Sequence, residues 1–113
     1  NSVFLAVPLA TLISFSFASN ISNYVEWRNL SPAIKTTYTA GAIDSFINPL
    51  TPNNEHARFV KQFNSCLTTL HITMFEVAQM VDNFYLNPDN WSRTPQEAIR
   101  FQLMNGHCFH FFD

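Results

Sequence analysis

The first 25 residues of this 113-residue chain carry no charged side chain, and the first charge belongs to Glu26. As a helix rising 1.5 Å per residue, this segment would be about 37 Å long, enough to cross a hydrocarbon core of about 30 Å. It divides the chain into residues 1–25 and a domain of residues 26–113. That domain is large enough for one hydrophobic core and too small for two.

Residues 1–25 match two kinds of membrane-directed segment. Ser16 and Ala18 are small residues at the spacing of a signal-peptidase site, which is typical of a cleavable secretory signal. A buried core helix is a third interpretation. If the segment stays uncleaved, it is a transmembrane anchor in contact with lipid, and its anchoring residues are Phe4, Leu5, Leu9, Leu12, Ile13, Phe15 and Phe17. We expect the domain on the periplasmic side of the inner membrane, or free in the periplasm after cleavage.

The composition limits what the domain can bind. Charged residues make up 12% of the chain, against about 25% in soluble domains, and Phe occurs 12 times. This favours a surface partly covered by a protein partner, with a polar surface of Asn, Ser and Thr as the alternative. The net charge is −2, and the sequence has no Lys/Arg cluster. The chain therefore lacks the basic surface that is typical of nucleic-acid binders, and we do not expect nucleic acid as a partner.

Helix-capping residues predict the first two helices of an all-α domain. Ser31 followed by Pro32 is typical of an N-cap and a first helical position, so a helix is expected from Pro32 to about Asn48. Asn54 is a suitable cap for a helix from Glu55 to about Leu67, whose apolar stripe would be Ala57, Val60 and Phe63. The chain has only two glycines, so few positions could form the tight turns of β-hairpins.

Two capping boxes predict the remaining helices. Thr73 and Glu76 start a helix that ends at the sequence Asn-Pro-Asp-Asn of residues 87–90. Its buried face is expected to contain Met74, Val77, Ala78, Val81, Phe84 and Tyr85. Thr94 and Glu97 start a helix from Pro95 to Asn105, with Gly106 in the left-handed position that follows a helix. The sequence thus predicts a transmembrane helix followed by a small bundle of four helices.

Cys66 and Cys108 are the only cysteines, and several interpretations of them are open. Outside the cytoplasm they are expected to form a disulfide, which by loop closure over about 43 residues would contribute roughly 4 kcal/mol. A metal site with His71, His107 and His110 is an alternative, although the adjacent His107 and Cys108 are an awkward pair of ligands. Free thiols and an activated Cys108 thiolate are the others. We predict the disulfide, with no metal and no cofactor.

Catalytic signatures are lacking in the sequence. It contains neither a G-x-S-x-G elbow nor an H-E-x-x-H helix. Asp44 lies among Ile43, Phe46 and Ile47, and we expect it to be a buried or half-buried carboxylate satisfied by backbone N–H groups or a basic side chain. The chain is therefore predicted to have no catalytic residues and not to be an enzyme.

The order of features from Thr37 to Cys108 resembles the small periplasmic immunity proteins of type VI secretion, the Rap/Tai-like family. The matching features are the sequence YTAGAID at residues 38–44, Cys66, the sequence VAQMVDNFYLNP at residues 77–88, then Ala98 and Cys108. The resemblance implies a compact helical periplasmic domain with a Cys66–Cys108 bridge. For immunity members it also implies inhibition of a toxic enzyme by plugging its active site.

Two functions are compatible with these features. The first is a non-catalytic accessory subunit of an integral membrane complex, in which Phe109, Phe111 and Phe112 dock on the protein partner or lie at the lipid interface beside Trp27. The second is a periplasmic immunity protein, released by cleavage at Ala18, whose loop of residues 87–93 inserts into a secreted toxin. Trp91 is the predicted anchor residue of that loop.

Overall fold

The computed structural model describes residues 21–48 and 53–112 of the chain. Within these two ranges the regular elements are helical and no strand occurs, which confirms the predicted all-α class. The predicted anchor residues from Phe4 to Phe17 lie outside the described residues. The α-helices are α1 (Tyr24–Arg28), α2 (Pro32–Ile47), α3 (Asn54–Thr69), α4 (Met74–Phe84) and α5 (Pro95–Gln102).

Helix α1 is a fifth helix that corrects the prediction of four. Asn23 begins it, because the Asn23 side chain accepts a hydrogen bond from the Glu26 N–H at 3.0 Å. The Glu26 carboxylate in turn accepts the Ser22 N–H at 2.7 Å, which ties the residue before the cap to the first turn. Residues 21–25, which the sequence groups with the N-terminal segment, thus pack with the domain, and Ile21 is buried. No helix within residues 21–48 or 53–112 has the length and hydropathy that a membrane span requires.

Helices α2 and α4 begin where the capping residues predict. The Ser31 hydroxyl accepts the Ile34 N–H at 3.3 Å, and both bonds of the Thr73–Glu76 capping box are formed. The buried face of α4 is the predicted one with the addition of Met80, while Met74 is half-buried. The buried residues of α2 recur three or four positions apart, which places them on one face of the helix: Tyr38, Thr39, Ala42, Ile43 and Phe46.

Helix α3 differs from the prediction in its cap and in its buried face. Asn53, one residue earlier than expected, accepts the His56 N–H at 2.8 Å. The buried side chains are Phe63 and Cys66, while Ala57 is exposed. The stripe is rotated because the helix packs on the aromatic C-terminal segment, where the ring of Phe59 covers more apolar area than the methyl group of Ala57.

The left-handed conformation occurs after α3, at His71, and not after α5, at Gly106. His71, with φ of 54°, follows α3, and the Ile72 N–H bonds the Leu67 carbonyl at 2.9 Å in a Schellman pattern. Gly106 does not have a positive φ, so the predicted glycine stop is wrong. Instead, α5 continues into a π-helical turn over Leu103–His107, in which the Cys108 N–H bonds the Leu103 carbonyl at 2.7 Å. This wider turn keeps both Leu103 and Cys108 buried.

The core divides into a three-helix centre and an attached helix. Helix α4 packs most extensively against α2 and α5. Helix α3 packs most extensively against the short 3-10 helix Phe109–Phe112, where Phe112 stacks on Phe59 with ring centres 5.6 Å apart. The C-terminal segment therefore provides the main attachment of α3 to the rest of the domain.

The disulfide between Cys66 and Cys108 links α3 covalently to the start of the C-terminal segment. Their Cα atoms are 5.6 Å apart, and both residues are completely buried. The predicted bridge is confirmed. Because both sulfur atoms are bonded to each other, the alternatives of a thiolate metal site, free thiols and an activated Cys108 are excluded.

We expect the Cys66→Ser/Cys108→Ser double variant to lose about 4 kcal/mol of unfolding free energy, because the bridge joins residues that are 42 positions apart in the sequence. Urea unfolding of the oxidised protein and of the variant measures this difference. In the double variant, hydrogen exchange should show a larger loss of amide protection in α3 than in α4. Uniform loss across both helices would contradict the attachment of α3 through the C-terminal segment.

Candidate partner-binding surfaces

The loop from Asn87 to Arg93 is held by its own side chains. The Asn87 side chain accepts the Asp89 N–H at 3.1 Å and starts the 3-10 helix Pro88–Asn90. The Asn90 amide donates to the Phe84 carbonyl, 2.9 Å away at the end of α4. The loop thus reaches its exposed position with its turn already formed, which reduces the entropy that binding would cost.

Trp91 is fixed at three points although its side chain is largely on the surface. Its indole N–H donates to the Tyr85 carbonyl at 2.9 Å, and its own carbonyl accepts the Tyr24 N–H at 3.0 Å. The Trp91 ring stacks on Tyr24 with centres 5.4 Å apart. The residue nevertheless remains 46% exposed. A large ring held in one orientation and half exposed is suited to burial against another molecule.

Tyr85 holds the end of this loop through a hydrogen bond. It is buried, and its hydroxyl donates to the Arg93 carbonyl at 2.6 Å. Burial, with smaller contributions from the charges of Tyr38 and Glu97, raises the pKa of Tyr85 above that of an ordinary phenol. Tyr85 therefore keeps its proton, and the hydrogen bond that it donates, to a higher pH than an ordinary phenol would.

Exposed apolar residues directly follow the two tyrosines that contact Trp91. Val25, beside Tyr24, is 51% exposed, and Leu86, beside Tyr85, is 78% exposed. The Arg28 guanidinium lies 5.8 Å from the centre of the Tyr24 ring. We call this group of Val25, Arg28, Leu86 and Trp91 the Trp91 face.

The three predicted phenylalanines of the C-terminal segment occupy different environments. Phe109 is 55% exposed, whereas Phe111 and Phe112 are half-buried against the domain's own core. Phe112 lies with its ring centre 6.4 Å from that of Phe63. Leu70, one turn beyond Cys66, is 45% exposed. Leu70 follows Cys66 by four residues, and Phe109 directly follows Cys108. We call these two exposed residues the disulfide face.

Trp27 is not at a surface, which corrects the expectation that it lies at a lipid interface. It is completely buried, and its indole N–H donates to the Asp82 carboxylate at 2.8 Å. Lys35 donates to the same oxygen at 3.0 Å and lies 5.4 Å from the centre of the Trp27 ring. A groove of about 190 Å³ lies beside this ion pair, and the half-exposed ring of Phe75 forms part of its wall.

Several acidic side chains have structural partners. Glu26, Glu76 and Glu97 each accept a backbone N–H at the start of a helix, and the Arg93 side chain, followed by the Thr94 N–H, holds the pKa of Glu97 below its usual value. Asp44 is exposed rather than buried, because its position falls on the outer face of α2, and it accepts the Asn48 amide at 2.8 Å. Within the described residues, no three His, Cys, Asp or Glu side chains are placed to hold a metal ion.

Comparisons with known protein families, with curated proteins and with solved structures find no match for this chain.

Sequence reasoning missed the residues that hold Trp91. Tyr24 lies 67 positions before Trp91 in the chain, so no local pattern connects them. The spacing of Asn23 and Glu26 is the one signal from which α1 could have been found. Leu86 and Val25 lie at helix ends, where periodicity does not distinguish inner from outer positions.

Replacing Asp82 tests whether its hydrogen bond to Trp27 matters more than its charge. Asp82→Ala leaves the buried indole N–H without an acceptor, at a cost of about 1–3 kcal/mol in unfolding free energy. Asp82→Asn retains an oxygen and loses only the ion pair with Lys35, worth about 1 kcal/mol or less because the Asp82 side chain is 48% exposed. Urea unfolding compares the variants. Equal losses would show that the charge, not the hydrogen bond, is what stabilises the site.

The raised pKa of Tyr85 predicts a loss of stability at alkaline pH. The stabilisation is present in full below the unfolded pKa of about 10 and is lost as pH rises towards the higher folded value. The difference in unfolding free energy between wild type and Tyr85→Phe should therefore be constant near neutrality and shrink above about pH 10. A difference that stays constant through this range would contradict the buried, donating phenol.

Proposed function

We propose that this chain is a non-catalytic accessory subunit of an integral membrane protein complex, anchored by one N-terminal helix. Its helical domain lies on the periplasmic side of the inner membrane and binds a protein partner through the disulfide face. The observation that carries the proposal is the exposure of Phe109, which is 55% exposed while Phe111 and Phe112 of the same segment pack against the core.

The disulfide face has the properties of a contact site. Fully burying a phenylalanine is worth about 1.5–3 kcal/mol, and Phe109 keeps a large part of that area in water. Its backbone is fixed because the preceding residue, Cys108, is bonded to Cys66. Leu70, at the end of α3, is also exposed. An exposed ring on a fixed backbone supports binding to a complementary pocket on a protein.

The location rests on two further features. Residues 1–20 carry no charge and directly precede a domain whose first described residue, Ile21, is buried. The bridge between Cys66 and Cys108 fits an oxidising compartment, such as the periplasm, where disulfides form and persist. Together they support a domain that has crossed a membrane and remains attached to it.

Four acidic groups have structural roles, which is consistent with binding rather than catalysis. A general acid or base requires a titratable group that is directed towards a substrate. Here Glu26, Glu76 and Glu97 accept backbone N–H groups at helix starts, and Asp82 is bonded to Trp27 and Lys35. The proposed activity needs no cofactor.

Photocrosslinking tests the disulfide face directly. Benzoylphenylalanine is placed at Phe109 or at Phe75 of the full chain in native membranes, since Phe75 on α4 has a similar exposure, 52% against 55%. We expect position 109, and not position 75, to form an adduct with an integral membrane protein that comigrates with this chain in detergent. Phe109→Ser should dissociate the pair and Phe75→Ser should not. Adducts at neither position, or equally at both, would contradict the proposal.

A second candidate is a periplasmic immunity protein that binds and inhibits a secreted toxin enzyme. It is favoured by the resemblance to the Rap/Tai-like family and by the preformed loop of residues 87–93, which presents Trp91. This function requires a mature chain that begins after Ala18 and is free in the periplasm. It also requires Trp91→Ala to weaken toxin inhibition far more than Phe109→Ser.

A further inference from the structure

The Trp91 face is tied to the start of the described chain. The Tyr24 N–H bonds the Trp91 carbonyl at 3.0 Å, and the two rings stack. Ile21 is buried, and it precedes Tyr24 by three residues, a distance of at most about 11 Å even when fully extended. Trp91 is thus held close to the point at which residues 1–20 join the domain.

If residues 1–20 belong to a membrane span, their junction with the domain lies at a membrane surface. Residues 1–20 are uncharged and, as a helix, would measure about 30 Å, which equals the thickness of the hydrocarbon core. The headgroup layer beyond the core is about 5–8 Å deep on each side. If the segment spans the bilayer, the residues nearest Ile21 therefore lie within or directly above the headgroups.

The exposed side chains of the Trp91 face match that layer. Tyr and Trp are enriched at the headgroup level because their rings are apolar at one end and polar at the other. Val25 and Leu86 add aliphatic groups, and Arg28 can keep its guanidinium among the headgroups while its stem covers apolar surface. This combination fits lipid, whereas the disulfide face lacks both Trp and Arg.

We propose that the Trp91 face rests in the lipid headgroup layer of the membrane that residues 1–20 cross, with Trp91, Leu86 and Val25 in contact with lipid. This inference rests on the anchor of the proposed function. It orients the domain and leaves the binding of protein to the disulfide face. It also means that Trp91 is covered in the anchored form, whereas a free immunity protein would need it exposed.

The charges near the Trp91 face make apolar contact, rather than attraction to anionic lipid, the source of this binding. Arg28 and Arg93 carry positive charges there, and Glu26, Asp89 and Glu97 carry negative ones. Arg93 is also paired with Glu97 at 2.9 Å. We therefore expect neutral phosphatidylcholine to be sufficient and added salt to have little effect.

Tryptophan quenching by brominated lipid tests the proposal on the full chain in phosphatidylcholine vesicles. The chain has two tryptophans, and Trp27 is completely buried. Bromine on the upper part of the acyl chains should quench wild-type fluorescence, and Trp91→Phe should abolish the quenching. Adding Leu86→Trp to Trp91→Phe should restore it, and circular dichroism confirms that each variant is folded.

Phe75→Trp in the same Trp91→Phe background is the matched control. Phe75 lies near the start of α4 and Leu86 just beyond its end, about 16 Å apart along an 11-residue helix, and both side chains are exposed. The tryptophan at position 75 should remain unquenched. Equal quenching at positions 75 and 86 would show that the domain has no fixed orientation and would overturn the proposal.

Alkaline carbonate extraction separates the possible failures. If the chain resists extraction but Trp91 is not quenched, the anchor stands and the membrane contact of the Trp91 face is overturned. If carbonate removes the chain, the anchor fails, and the proposed function fails with it. In native membranes, benzoylphenylalanine at Leu86 should form lipid adducts. A defined protein adduct there, including a second copy of this chain, would assign the face to protein and overturn the proposal.

Discussion

The disulfide between Cys66 and Cys108 is the bond on which the position of α3 depends. Helices α2, α4 and α5 form a continuous centre, whereas α3 packs mainly on the C-terminal segment that follows Cys108. The stack of Phe59, Phe63 and Phe112 completes that contact. The same covalent link fixes the backbone beside Phe109. One bond therefore completes the core and also holds the residue that we propose contacts a protein partner.

The two exposed faces are held by different means, and this separates their proposed roles. The disulfide face is fixed covalently, through Cys108. In the Trp91 face, Trp91 is fixed by hydrogen bonds to Tyr24 and Tyr85 and by ring stacking on Tyr24, close to the junction with the N-terminal segment. We propose that the Trp91 face contacts lipid and that the disulfide face contacts protein.

Local signals in the sequence predicted the helices well, because caps depend on residues three positions apart. Thr73 with Glu76 and Thr94 with Glu97 mark helix starts that the structure reproduces. Contacts between distant residues could not be predicted in this way. Asp82, 55 positions after the buried Trp27, accepts its indole N–H, and the π-helical turn that contains Gly106 leads directly to Cys108, which is bonded to Cys66. Asp44 is exposed because its position on the helix face, rather than its apolar neighbours, determines its burial.

Whether the chain is an anchored subunit can be measured on native membranes. The membranes are solubilised in mild detergent, the complexes are separated by size, and the intact masses of this chain and its companions are determined. We expect the chain to comigrate with integral membrane proteins and its mass to include residues 1–18. A free soluble protein that begins near Ser19 would rule out the anchored subunit and direct attention to a bound toxin.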